Sequence, residues 1–223
     1  MTNHIRSTKI INPKNWNGKT ILYMHGYYGF IWEASRHLEV LKEEGYKIVA
    51  MDFNDILKRH NPSHLLELID QVDKFIEKEN LINDNTLVIG LSLGGLVGFS
   101  LVKRHALLNK LFIITGGDIT HIPMERSLKH KWKLTRKELA GKWKKVNLYT
   151  PVGGFTGKNI TMLLPKRDRV INPDEVVTEI NKHRELNNIS LVRTPGGHLR
   201  TIITETILAP RRSLSLINEL TEF

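Results

Sequence analysis

Ser92 stands in the run Gly90-Leu91-Ser92-Leu93-Gly94, followed by Gly95. The G-x-S-x-G spacing suits a serine held at the apex of a sharp turn between a strand and a helix, with its Oγ exposed. Glycines two before and two after are needed there, because a β-carbon would collide where strand and helix approach each other. The flanking sequence has the right character. Thr86 to Leu91 is apolar and β-branched, as in a buried strand, and Leu93 to His105 can form a helix. A serine hydroxyl is a poor nucleophile until an imidazole accepts its proton during attack. The rest of the chain must therefore supply a base, a carboxylate to orient it, and donors for a developing oxyanion.

Those partners have to come from other elements. Strands are expected at Thr20–Met24, Lys47–Phe53, Lys110–Thr115, Asn159–Leu164 and Ile189–Arg193, besides Thr86–Leu91. Helices alternate with them. One runs over roughly Trp32–Glu44 and stops at Gly45, and another opens at Asn61-Pro62. A third opens at Asn172-Pro173 with Glu175 as the capping-box residue and runs to about Leu186. The last, from Leu199 to Phe223, breaks near Pro210. This alternation predicts an α/β fold: a mainly parallel sheet of about six strands with helices on both faces. In such sheets functional groups gather at the carboxyl ends of the strands. Those ends carry His25-Gly26-Tyr27, Asp52, Ser92, Asp118, Asp168 and His198. A nucleophile, a base and several candidate acids are thus contributed by separate loops.

From about Thr20 to its end the sequence resembles the α/β-hydrolase superfamily. The resemblance rests on HGYYG after the first strand, GLSLGG at the turn, PKRDRVINP after the fifth strand and PGGH after the sixth. The antiparallel N-terminal hairpin usual in that family is not evident, because few residues precede Thr20, so a short N-terminal part is expected. The resemblance implies Ser92 as nucleophile, His198 as general base and acid, and Asp168 as the orienting carboxylate. It implies an oxyanion hole formed by the backbone N–H groups of Leu93 and Tyr27. The activity implied is that of a serine hydrolase cleaving an ester or thioester. Acyl transfer on the same residues and a non-catalytic binding protein on the same fold are the alternatives.

Plainer roles compete with each assignment. Ser92 could merely cap a helix, His198 could be a solvated loop histidine, and Asp168, among Lys166, Arg167 and Arg169, could be a surface turn residue. Asp118 is the rival acid. His25 is expected to brace the oxyanion loop, and Asp52 to hydrogen-bond at its strand end. Tyr27, Tyr28, Phe30 and Trp32 form an aromatic cluster, of which Tyr28 and Trp32 are assigned to the substrate pocket.

The 223 residues fit one domain (1–223), with residues 118–158 as a small basic cap or insertion. Between Met124 and Lys145 nine Lys/Arg face two Glu, giving +7 of the chain's +10. A solvated cap surface accounts for this charge, and attraction of an anionic substrate or a peripheral membrane contact are the sharper readings. Nucleic acid is not an expected partner; a small-molecule acyl substrate is. The absence of cysteine excludes disulfides, a thiol nucleophile and Cys-based metal sites. Zinc, phosphate-loop and dinucleotide motifs are missing, so no cofactor or metal is expected. There is no apolar run of membrane-spanning length, and the first residues lack the apolar core of a secretory leader, which makes the cytoplasm the expected compartment.

Overall fold

Strands buried on both faces must be largely apolar, and four of the central strands are. β2 (Thr20–Met24), β4 (Thr86–Leu91), β5 (Lys110–Ile114) and β6 (Asn159–Pro165) are buried along nearly their whole length. With β3 (Lys47–Asp52) and β7 (Asn188–Thr194) they form a parallel set, and β1 (Ser7–Ile11) joins it at one edge. The strand order is β1-β3-β2-β4-β5-β6-β7. These assignments come from a computed structural model, which describes residues 5–26, 34–53, 64–116, 133–135, 137, 138, 141 and 156–222. The expected cap at 118–158 and the Asn61-Pro62 helix start lie wholly or almost wholly outside them.

Alternate residues of each strand point to opposite faces, and the two faces build two cores. Leu22, Met24, Val88, Leu111 and Met162 pack with α2 (Leu65–Lys78), α3 (Leu93–Arg104) and α4 (Pro173–Asn181) on one side. Ile21, Tyr23, Ile89, Phe112 and Leu163 pack on the other with α1 (Ser35–Glu43) and α6 (Pro210–Thr221). Between β7 and α6 lie α5 (His198–Ile203) and a π-helical turn, Thr204–Leu208.

The sheet has seven strands rather than about six. The additional one, β1, pairs antiparallel with β3, Ser7 opposite Asp52 and Ile11 opposite Ile48. An N-terminal antiparallel strand is therefore present after all. Its sequence, STKII, is exposed over its first four residues, so neither the alternation nor the apolar run that marks a buried strand is required of it. The helix that opens at Asn172 does so as expected: the Asn172 side chain accepts from the N–H groups of Asp174 and Glu175. It ends at Asn181 rather than near Leu186, because residues 182–187 tighten into i→i+3 turns, such as Arg184 N–H to Asn181 O at 3.2 Å.

Two buried polar groups stabilise this frame. The Lys158 ammonium donates to the carbonyls of His105, Ala106 and Leu108 at 2.9, 3.0 and 3.2 Å, tying off the end of α3. His37 is fully buried. Its Nδ1 accepts from the Tyr23 hydroxyl at 3.0 Å and its Nε2–H donates to Ser213 Oγ at 3.2 Å. Burial lowers the His37 pKa to about 3. The unfolded chain, with an ordinary histidine near pH 6.5, therefore takes up a proton that the folded chain refuses. This stability is complete above about pH 6.5 and is lost as pH falls toward 3, at about 1.4 kcal/mol per pH unit. Glu205, whose buried carboxyl is pushed up by desolvation, acts with the opposite sign above its ordinary value near 4.5. Urea midpoints measured between pH 6.5 and 5 should fall in the wild type and fall less in His37→Gln; equal slopes would remove His37 as the cause.

Candidate active site

The turn between β4 and α3 forces Ser92 into an unusual backbone conformation, φ +49° and ψ −111°. A non-glycine residue there costs roughly 1–3 kcal/mol and persists only where its surroundings hold it. They do so on both sides: the Ser92 N–H donates to Ile114 O at 2.9 Å, and its carbonyl accepts from Gly95 N–H at 2.9 Å. The flanking glycines are obligatory. A β-carbon on Gly90 would stand 2.4 Å from the Gly95 Cα, and one on Gly94 would stand 2.3 Å from Met24 O. The Ser92 side chain makes no capping bond to the helix it precedes, so its hydroxyl is left for other partners.

That partner is His198, at the start of α5. Its Nε2 lies 2.9 Å from Ser92 Oγ, and its Nδ1 lies 2.8 Å from Asp168 Oδ2. The Asp168 side chain is 2% exposed. Its other oxygen accepts from the N–H groups of Val170 and Ile171 at 2.7 and 3.0 Å. Oδ2 is left facing the imidazole, which fixes the tautomer: Nδ1–H donates to Asp168, and Nε2 is free to accept from Ser92. The loops after β6 and β7 are joined by backbone bonds, Lys166 N–H to Thr194 O and Arg167 N–H to Gly196 O, at 2.9 and 3.0 Å. Asp168 and His198 are thus carried on one hydrogen-bonded platform.

Of the residues anticipated around a developing oxyanion, Leu93 is the first residue of α3, where an N–H has no acceptor within the helix. Gly26 brings the loop after β2 against the serine, a β-carbon there standing 3.3 Å from Ser92 Cβ. Tyr27, Tyr28, Trp32 and Asp118 lie outside the described residues. His25 sits at the root of the same loop. Its Nδ1–H donates to Gly26 O at 2.6 Å, its Nε2 accepts from Phe53 N–H at 3.1 Å, and its ring stacks on Phe53. Both nitrogens are committed to backbone groups, as expected of a brace. Asp52 Oδ1 lies 3.3 Å from His25 Nε2.

One neighbour escaped the sequence reading. Thr115, at the end of β5, is buried and has φ +57°. Its Oγ1 lies 3.4 Å from His198 Nε2, on the side opposite the one where Asp168 holds the ring. Only its place at a strand end marked it. Asp73, Glu77 and His105 are clustered closely enough to hold a cation. They lie at the far end of α3 from Ser92, however, and Asp73 is already bonded to both His105 and Arg104. That cluster ties α2 to α3.

No family model and no curated protein sequence matches this chain. Its fold, by contrast, is similar to many solved structures. Esterase 2 of Thermogutta terrifontis superposes with a TM-score of 0.70 at 14% identity, over 95% of this chain and 87% of that one. Est1E of Butyrivibrio proteoclasticus gives 0.68 at 15%, over 97% and 94%. A probable hydrolytic enzyme of Pseudomonas aeruginosa gives 0.65 at 18%, over 95% and 88%. At these identities the likeness is one of fold.

Proposed function

We propose that this chain, whose fold is that of the α/β-hydrolases, is a serine hydrolase that cleaves a carboxylic ester or thioester through an acyl-enzyme on Ser92. The observation that carries this reading is the unbroken hydrogen-bond path from Ser92 Oγ through His198 to a buried carboxylate, with the serine held in a strained turn. The esterases among its structural neighbours support the ester as the bond attacked.

In this mechanism Ser92 Oγ attacks the carbonyl carbon while His198 Nε2 takes its proton. Asp168 keeps the imidazole oriented and stabilises the imidazolium as it forms. The carbonyl oxygen, now an oxyanion, is received by the N–H of Leu93, with that of Tyr27 as the second donor; loss of one such donor typically costs about 10²–10³ in rate. His198 then gives its proton to the departing alcohol or thiol, and the C–O or C–S bond breaks. Water enters and attacks the acyl carbon as His198 takes one of its protons. His198 then gives that proton to Ser92 Oγ as the acyl–Oγ bond breaks, which releases the acid and restores Ser92. The test is turnover of a short 4-nitrophenyl ester by the wild type and by Ser92→Ala. Release of 4-nitrophenol that depends on Ser92 supports the reading, and equal release by both proteins removes it.

A further inference from the structure

The excess positive charge of the chain is not spread evenly. Residues 124–145 carry +7, in the connection that leaves β5 at its carboxyl end. Around the acid and base stand four exposed cations, Lys166, Arg167, Arg169 and Arg200, against the single buried carboxylate of Asp168, a local +3. Together these groups account for the whole +10, so the remainder of the chain is neutral on balance. A charge confined to two stretches of sequence differs from a generally basic surface, and the four cations beside Asp168 and His198 make a local positive field there.

Two of the four cations come from segments that meet at one glycine. Arg167 N–H donates to Gly196 O at 3.0 Å. The Arg200 stem folds over the same glycine, its Cδ 2.9 Å from where a β-carbon would stand. Gly196 has φ +103°, so both its backbone and the packed arginine disfavour a side chain there. Arg167 precedes Asp168 directly, and Arg200 lies two residues beyond His198. None of the four cations has an acidic partner among the described residues, whereas Arg104, Arg193 and Arg212 elsewhere are each paired with a carboxylate.

We propose that the ester turned over at Ser92 carries an anionic group, a carboxylate or phosphate, and that Arg167 and Arg200 bind it beside the acid and base loops. The proposal rests on the hydrolase reading above. Guanidinium groups present a planar fork that matches both anions, and two of them on the loops that carry Asp168 and His198 can hold an anion while the reacting carbonyl meets Ser92.

The experiment compares matched esters. 4-Nitrophenyl hemisuccinate against 4-nitrophenyl butyrate places the charge on the acyl side. 3-Acetoxybenzoate against its methyl ester places it on the alcohol side. At low salt the wild type should favour the anionic member of at least one pair by about tenfold in kcat/KM, and about 0.5 M NaCl should reduce the advantage. Arg167→Gln/Arg200→Gln should lose it through KM, whereas Lys9→Gln/Lys14→Gln, which removes the same charge elsewhere, should keep it. No preference in either pair, or equal loss in the two double variants, overturns the proposal while leaving the hydrolase reading intact. If the wild type turns over none of the four esters and Ser92 takes no active-site label, the hydrolase reading fails and this proposal fails with it.

Discussion

Ser92→Ala should lower kcat for a short 4-nitrophenyl ester by about 10⁴–10⁶. The size follows from what the hydroxyl does: without Oγ there is no covalent intermediate, and water must be activated by His198 in a site shaped for a different attack. Residual rate should come only from binding and from whatever donors receive the oxyanion. The variant should keep its fold. Ser92 makes no side-chain cap to α3, and alanine can take the same backbone path, with the same strain, because the bonds to Ile114 and Gly95 are made by the main chain. A urea midpoint within about 0.5 kcal/mol of wild type, beside the lost activity, would separate chemistry from stability.

Asp168→Asn should cost about 10⁴ in kcat through the tautomer of His198. Two backbone N–H groups, from Val170 and Ile171, donate to Asp168 Oδ1. In the variant they hold the amide oxygen in that place and turn the NH₂ toward His198 Nδ1. The imidazole must then accept at Nδ1 and carry its proton on Nε2, facing a serine whose proton it can no longer take. The geometry stays nearly isosteric while the proton moves to the wrong nitrogen. Asp118→Asn is the paired control, expected to remain within a few-fold of wild type. If Asp118→Asn were the inactive variant and Asp168→Asn the active one, the acid would be misassigned.

Much of this arrangement was legible in the sequence, for physical reasons that can be named. Strands buried on both faces cannot hide their composition, and β4 with its flanking glycines announces a turn that no β-carbon would survive at Gly90 or Gly94. Parallel topology then brings Ser92, Asp168 and His198 to one end of the sheet. What stayed hidden lacks such a signature. β1 is an exposed edge strand, so its residues need not alternate. Lys158 reads as a surface lysine until the end of α3 closes over it. His37 lies on a helix face whose apolar spacing says nothing of the hydroxyls that await it on β2 and α6. Thr115 gains its place only through the left-handed turn that ends β5. Each depends on a long-range contact, and local pattern carries no record of those.

The claim on which everything else depends is that the Ser92 hydroxyl is activated by His198. Intact-mass and peptide mass spectrometry after exposure to a fluorophosphonate reports on it directly. One phosphonyl adduct per chain, located on Ser92, absent from Ser92→Ala and strongly slowed in His198→Ala, is the predicted result. A well-folded wild type that takes no adduct, or takes it on another residue, would contradict the account.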